Sequence, residues 1–191
     1  MKCLELDKEF KSRDEMFAAL KANEDKIISL KKAAVYKSAD KGQLAPCNTF
    51  MKLPDETKAA LNLKEDHIYP IINTTLYMDS HNDVHANGIW SKSLKEQQGQ
   101  INYVLDHSLK VSDVIAWADD VKAFTRSVSW AFVGKNFEGE TQALIYEIPK
   151  EAIVSDNANR VISEKRKVQN SVRMQYVKIE LAMDSDRQER S

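Results

Sequence analysis

The chain has 191 residues, 42% of them hydrophobic, and a formal net charge of −1 at pH 7. This length and composition allow one domain with a sizeable core, and the near-neutral charge disfavours binding to nucleic acid or to an anionic membrane. The sequence predicts no transmembrane span and no signal peptide. Cys3 and Cys47 suggest neither a disulfide framework nor a zinc knuckle, so a reducing, cytosolic compartment is expected.

The first fifty residues predict helical structure followed by a strand and a turn. Ser12 and Glu15 have the spacing of a capping box, in which the serine hydroxyl accepts from the N–H of Glu15 while the Glu15 carboxylate reaches back to Ser12. Apolar residues at helical spacing predict one helix or two short ones over 13–31. A strand is expected over 33–37 and a turn or link over 38–50.

Residues 55–96 predict two helices around a strand. A short helix over 55–63 begins with acidic residues at the positive end of its dipole. The β-branched, apolar run 68–78 predicts a strand, and Pro70 places the start of that strand at a sheet edge. A polar loop over 79–88 precedes a helix over 89–96.

The second half of the chain shows mostly β-type patterns. Residues 102–107 alternate with period two, which predicts a strand that ends in His107. The other expected elements are a turn at Asp119 and Asp120, a hairpin connection over 134–139, a charged helix over 151–167, and strands over 111–117, 121–132, 142–148 and 171–183. The order of these elements predicts an α+β fold with a mostly antiparallel, barrel-like sheet and flanking helices.

The domain organisation expected from these elements is a single domain over 1–191. It comprises an N-terminal helix and strand extension over 1–50, a core over 51–183 and a frayed tail over 184–191.

The predicted chemistry centres on His107 and Ser171. Histidine takes and returns a proton near neutral pH, and a serine becomes a nucleophile when an adjacent base removes its proton. His107 and Ser171 are therefore a candidate base and nucleophile, and their separation of 64 residues can place them on neighbouring strands but does not by itself join them. A third group would orient the imidazole. Asp106 is rejected because its side chain points to the opposite face of a strand, and Asp120, Glu147, Glu180 and Asp184 remain open.

Two other candidate sites compete with this pair. Asp79, His81, Asp83 and His85 alternate along the polar loop, and in an extended segment they would share one side, as ligands of a divalent metal do. A metal-dependent hydrolase built on His81 and His85 is the most distant of the hypotheses. Aromatic residues from Trp90 to Tyr146 resemble a stacking platform for single-stranded nucleic acid, but the acidic residues between them favour core packing.

Three segments resemble, in their order, the prohead maturation proteases of tailed bacteriophages, a serine-protease family related in fold to the herpesvirus capsid-assembly protease, assemblin. Residues 79–90 are similar to the family's acidic stretch that leads through a glycine and an aromatic residue into a short helix. Residues 103–107 match the strand that ends in the family's catalytic histidine. Residues 170–174, Asn-Ser-Val-Arg-Met, match the segment that carries the nucleophile.

The resemblance implies an assemblin-like fold and a serine endopeptidase that cleaves scaffold and capsid proteins, and itself, during prohead assembly. Ser171 would be the nucleophile and His107 its base, with no cofactor and no metal. We therefore expect the Ser171 hydroxyl within hydrogen-bonding reach of a His107 ring nitrogen. The implied partners are the phage scaffold and major capsid proteins, with self-association as a further option. The implied location is the cytoplasm of the bacterial host of a phage or prophage, inside assembling proheads.

Two departures from the family pattern support an alternative function. Arg173 stands where the family has glycine, and its side chain would crowd the backbone beside the nucleophile. The sequence ends at Ser191, 20 residues after Ser171, where the family continues into a strand with an acidic residue. The alternative is a catalytically impaired or truncated capsid-assembly or binding module on the same fold.

Overall fold

Short strands and four helices make up the described part of the chain. The computed structural model describes residues 1–38, 45, 46, 59, 62–79, 81 and 83–182. The helices in this part are α1 (Arg13–Ala22), α2 (Glu24–Ala33), α3 (Ser91–Gln97) and α4 (Asp156–Ser163). The strands in this part are β1 (Lys2–Cys3), β2 (Lys8–Glu9), β3 (Tyr36–Ser38), β4 (Ala45–Pro46), β5 (His67–Ile68), β6 (Ile71–Thr74), β7 (Tyr103–Val104), β8 (Val114–Ala116), β9 (Lys122–Ser129), β10 (Glu140–Pro149), β11 (Lys167–Val168) and β12 (Val172–Met174).

The ten-residue strand β10 lies at the centre of a four-stranded antiparallel sheet. Along one side it pairs with β9 from Glu147 to Glu140, and along the other it pairs with β5 and β6. Pro70 separates β5 from β6 because it has no N–H to donate to the ladder. Its carbonyl still accepts a hydrogen bond from the N–H of Tyr146, at 3.1 Å. The predicted strand over 68–78 is therefore two short strands at the edge of this sheet.

Both faces of this sheet are covered by buried apolar side chains. Ala143 and Ile145 of β10 belong to a first cluster, which also holds Tyr69, Ile71, Val128, Trp130 and Val133. Ile148 belongs to a second cluster with Ile68, Ile115, Ala116, Val121 and Ile153. Side chains alternate between the two faces along a strand, so the two clusters lie on opposite faces of β10.

Two short strands extend the second cluster toward the candidate site. β7 and β8 pair with each other in antiparallel fashion, with Tyr103 opposite Ala116. Ala116 is completely buried in the second cluster, and the Tyr103 ring packs against that cluster. The segment that leads to His107 therefore starts from the core.

The chain divides into two compact units, Met1–Tyr36 with Met174–Ser191, and Lys37–Arg173. In the first unit the predicted helical region is two helices, α1 and α2. The Ser12 hydroxyl accepts from the N–H of Glu15 at 3.2 Å, as predicted, but the Glu15 carboxylate accepts from the N–H of Lys11 rather than that of Ser12. Buried Cys3, Phe10, Leu20 and Ile27 form the core of this unit.

The predicted α+β class is confirmed, and the barrel-like sheet is wrong for the described residues. Their sheets are antiparallel and open, with no closed barrel among them. Likeness to assemblin stays a prediction. None of the helices in the described ranges is both long enough and apolar enough to cross a membrane.

Several predicted boundaries are wrong. Residue 33 ends α2, and the strand expected over 33–37 is β3, which begins at Tyr36. The helix expected over 151–167 is the shorter α4, and the strand expected over 171–183 is the three-residue β12. In each case a local pattern continued past the point where tertiary partners end the element. Most of the predicted helix over 55–63, most of the link over 38–50 and the tail over 184–191 fall outside the described residues.

Candidate active site

His107 lies in a turn, not at the end of a strand. β7 ends at Val104, and residues 105–108 form a tight turn closed by a hydrogen bond from the Ser108 N–H to the Leu105 carbonyl at 2.9 Å. Within this turn Asp106 has φ +48° and His107 has φ +55°. Two consecutive residues in the left-handed region reverse the chain, and aspartate and histidine tolerate this region better than most residues do. The prediction of a strand up to His107 is therefore wrong. Asp106 is therefore no longer excluded by its position, because its exclusion assumed a strand.

Ser171 lies in the short connection between β11 and β12. The predicted elements put Ser171 at the start of a strand that follows a charged helix, but α4 ends at Ser163 and β11 lies between them. Its side chain is half-buried, while that of the next residue, Val172, is buried. Ser171 thus has a buried neighbour as an anchor and keeps a partly accessible hydroxyl.

The structure brings the two predicted site residues together. Ser171 Oγ and His107 Nε2 share a hydrogen bond between positions that are 64 residues apart. The expected contact between the hydroxyl and the ring is therefore confirmed, and the catalytic roles stay predictions. A neutral imidazole that accepts from a serine O–H through Nε2 is placed to remove the hydroxyl proton.

A second hydrogen bond joins the same two segments. The Tyr103 hydroxyl donates to Oδ1 of Asn170 at 2.6 Å. Tyr103 lies four residues before His107, and Asn170 lies immediately before Ser171. Sequence reasoning missed this contact, because no motif links a tyrosine and an asparagine that are 67 residues apart.

Asp113 organises the turn that follows His107. Hydrogen bonds from the hydroxyls of Ser108 and Ser112 hold the pKa of the Asp113 carboxyl below its ordinary value, and the Ser112 bond measures 2.8 Å. Asp113 was not among the predicted site residues. Its link to Ser108, the neighbour of His107, joins the residue after the imidazole to the start of β8.

The candidate orienting acids differ in their surroundings. The Glu147 carboxylate lies 2.8 Å from Lys64 Nζ and 3.5 Å from Lys122 Nζ, so its charge is already compensated by two lysines. Glu180 forms an exposed ion pair with Lys178 in the other unit. Asp120 is exposed in a 3₁₀ turn, and Asp184 lies outside the described residues. A third member of the site stays unassigned.

Glu147 belongs to a charged cluster that the sequence did not single out. Burial raises the pKa of its carboxyl, but the hydrogen bond from Lys64 and the charges of Lys122 and His67 outweigh burial and lower the pKa. His67 is itself buried, and its Nδ1 lies 2.8 Å from Asp66 Oδ1. These residues sit where β5 meets the end of β10.

In the polar loop proposed as a metal site, hydrogen bonds to Asp79 join the residues that the structure describes. Oδ1 of Asp79 accepts from the N–H groups of His81 and Asp83, and the N–H of Asp79 donates to the carbonyl of Asp83. The prediction of an extended segment, on which the metal hypothesis depended, is therefore wrong. Ser80 and Asn82 fall outside the described residues, and the residues that are described contain no group of three or more potential ligands placed to hold a metal ion.

Asp79 and His85 form the buried end of this loop. Asp79 Oδ2 lies 3.7 Å from His85 Nε2, and both side chains are at most 1% exposed. Burial lowers the pKa of His85 more than the nearby carboxylates raise it. The His85 ring also meets the buried Trp90 edge-on. This pair fixes the loop in front of α3.

Arg173 does not need the conformational freedom of glycine. It is exposed on β12, and it is not among the described residues that have positive φ. The side chain therefore points away from packed surroundings. The expected crowding of the backbone beside the nucleophile is not observed.

Comparisons with known proteins add no relative to this picture. No family model, no curated protein and no solved structure matches the chain. Membership of the phage protease family therefore stays a prediction from the three sequence segments.

Proposed function

We propose that the protein is a serine endopeptidase of phage capsid maturation, which cleaves scaffold and capsid proteins, and itself, during prohead assembly. The observation that carries the proposal is the hydrogen bond between Ser171 and His107. These are the two residues that the family resemblance assigns to nucleophile and base. Their contact across 64 positions is what a serine–histidine mechanism requires.

The reaction would proceed by two acyl transfers. His107 Nε2 takes the proton of Ser171 as the serine oxygen attacks the peptide carbonyl, and the tetrahedral oxyanion forms. The protonated imidazole then gives its proton to the leaving amine as the C–N bond breaks, which leaves an acyl-enzyme. In the second half His107 takes a proton from water, the hydroxide oxygen attacks the ester, and the proton returns to Ser171 as the acid product leaves.

Accessibility supports this assignment over a purely structural one. Both side chains are half-buried, so the hydrogen bond is shielded in part while the oxygen can still be approached by a substrate. The pair also lies outside both apolar clusters of its unit. A buried pair within a cluster would fit a structural role better.

A fluorophosphonate probe tests the nucleophile without a known substrate, because it reacts with serines that a neighbouring base activates. We expect the probe to label wild type at Ser171, as mapped by peptide mass spectrometry. Ser171→Ala should abolish labelling, and His107→Ala should slow it by about 10³-fold or more. Ser127→Ala is the matched control, because Ser127 is an exposed serine on β9 whose hydroxyl donates to Glu140 on β10. This variant should be labelled at the wild-type rate.

Coexpression with the scaffold and major capsid proteins of the encoding phage or prophage tests the substrate. We expect wild type, and not Ser171→Ala, to shorten one or both partners. Labelling at Ser171 without such cleavage would contradict the capsid assignment and retain acyl transfer. Absence of both would favour the alternative, a non-catalytic capsid-assembly module, whose binding to scaffold would be detected by cosedimentation.

A further inference from the structure

We infer that Tyr103 and Asn170 are positioning residues for the Ser171–His107 pair, an inference that rests on the proposed function. The Tyr103 hydroxyl donates to Asn170 Oδ1 at 2.6 Å. This bond ties the segment that carries His107 to the segment that carries Ser171, at a second point beside the hydrogen bond between the reacting groups themselves.

The backbone around the two reacting groups gives little support of its own. β7, β11 and β12 contain two or three residues each, so few ladder hydrogen bonds hold them. His107 also follows Asp106 in a left-handed turn. A hydrogen bond between two such segments can rotate and lengthen, whereas proton transfer needs a narrow range of distance and angle. The second hydrogen bond, between Tyr103 and Asn170, restricts this motion.

Tyr103 is anchored on the side away from Asn170. Its ring packs against the second buried cluster and meets the ring of Tyr146 edge to face, with centroids 6.0 Å apart and planes at 87°. Tyr146 belongs to the central strand β10, and β8 holds the backbone of Tyr103 opposite Ala116. The hydroxyl thus extends from a ring packed on the core to the residue before the nucleophile.

Asn170 receives the bond where it has most effect on Ser171. The two residues are adjacent, so a rotation of the Asn170 backbone moves the Ser171 Cα directly. The Asn170 side chain is half-buried, which lets water replace the lost donor when Tyr103 is changed. Removal of the tyrosine hydroxyl should therefore loosen the serine segment without unfolding the chain.

A double-mutant cycle on the full chain tests the pair through the rate of fluorophosphonate labelling. Tyr103→Phe removes only the hydroxyl, and Asn170→Leu removes the acceptor together with the amide donors at similar size. Each is expected to slow labelling by about 10-fold, since small misplacements of reacting groups have effects of this order or larger. The double variant should be no slower than either single one. Tyr77→Phe is the matched control, because Tyr77 packs in the first cluster, and it should label at the wild-type rate.

A conservative variant separates positioning from general support. Asn170→Asp keeps an oxygen that accepts from the Tyr103 hydroxyl, which Asn170→Leu does not. Labelling of Asn170→Asp should return to within about threefold of the wild-type rate. An Asn170→Asp variant that labels as slowly as Asn170→Leu would show that the bond from Tyr103 does not position Ser171.

Histidine-ring NMR gives a readout that does not depend on the proposed chemistry. The ¹⁵N shift of His107 Nε2, assigned by its loss in His107→Gln, reports the hydrogen bond to Ser171 in every variant. If wild type is not labelled, the proposed function fails, and a changed shift in Tyr103→Phe still supports positioning. Wild-type labelling and an unchanged shift in Tyr103→Phe, or additive effects in the double variant, would overturn the inference.

Discussion

The central sheet and the Ser171–His107 site are built by different means. β10 pairs on both sides, and it has a buried apolar cluster on each face. The site segments pair over two or three residues, include a left-handed turn, and are joined by side-chain hydrogen bonds. One region is held by buried area and the other by a few directed contacts.

This difference separates stability from chemistry within one unit of the chain. Burial is non-directional and scales with area, so the sheet can stabilise the fold while tolerating small displacements. Proton transfer between His107 and Ser171 depends on distance and angle and gains little from buried area. Changes in the sheet should therefore appear mainly in unfolding, and changes at the site mainly in reactivity.

The same substitution should affect mainly stability in the sheet and mainly reactivity at the site. Val128 in β9 is 7% exposed and belongs to the first cluster, and Val172 in β12 is 9% exposed next to Ser171. Val128→Ala should lower the free energy of unfolding by about 2 kcal/mol, from lost burial and the cavity that is left. Val172→Ala should cost about 1 kcal/mol or less and slow labelling of Ser171 severalfold, because it releases the neighbour of the nucleophile.

Urea denaturation and labelling rates, measured on both variants, check this contrast. Val128→Ala should label at the wild-type rate once the data are corrected for the folded fraction. Equal losses of stability in the two variants, with equal labelling, would show that the site is supported by buried area in the same way as the sheet.

The sheet could be predicted from sequence because its pattern and its environment agree. Residues 142–148 and 121–132 alternate or are apolar throughout, and the structure places β10 and β9 there with the expected hairpin connection. Pro70 also acted as expected, by limiting its strand to the sheet edge. The extra length of β10 comes from pairing on both sides, which no local pattern records.

The site could be predicted only in part. The alternation from Tyr103 to Asp106 indicated a strand up to His107, yet Leu105 is 58% exposed and the chain turns there. A period-two pattern needs a partner that buries one face, and β8 provides one only as far as Val104. The contact between His107 and Ser171 followed from the family resemblance, since spacing alone cannot join residues 64 apart. No sequence pattern predicted the hydrogen bond between Tyr103 and Asn170.

The charged cluster around Glu147, near the end of β10, places titratable groups in the sheet. Glu147→Gln removes the ion pairs with Lys64 and Lys122 and should lower the free energy of unfolding by about 1–2 kcal/mol at pH 7. The lowered pKa of Glu147 fixes the sign of the pH effect. The stabilisation is present above the ordinary pKa of glutamate and is lost as the pH falls through the lowered pKa of the folded state.

Denaturation of wild type and Glu147→Gln across pH 2–7 measures this effect, and the two curves should converge in acid. Glu140→Gln at the other end of β10 is the control, because Glu140 is exposed and accepts from the Ser127 hydroxyl. Glu140→Gln should lower the free energy of unfolding by less than about 0.5 kcal/mol. A constant gap between wild type and Glu147→Gln down to pH 2 would mean that charge contributes nothing to this end of the sheet.

The left-handed turn before His107 gives the smallest expected change in stability and the most direct test of how the site is supported. Asp106→Gly and Asp106→Ala both remove the carboxylate, but alanine keeps a Cβ, and only glycine adopts φ +48° without cost. We expect the glycine variant to be more stable than the alanine variant by about 1 kcal/mol. At Lys110, where φ is −79°, the order should reverse, because glycine there only adds flexibility to the unfolded chain.

Labelling of the same variants connects the turn to the chemistry. If His107 reaches Ser171 because the chain reverses at Asp106, then Asp106→Gly should keep most of the labelling rate, and Asp106→Ala should slow it by shifting the imidazole. An alanine variant as stable and as reactive as the glycine variant would show that the turn can relax to negative φ without moving His107. In that case the position of the imidazole would depend on its bond to Ser171 and on the contact between Tyr103 and Asn170, and not on the backbone that carries it.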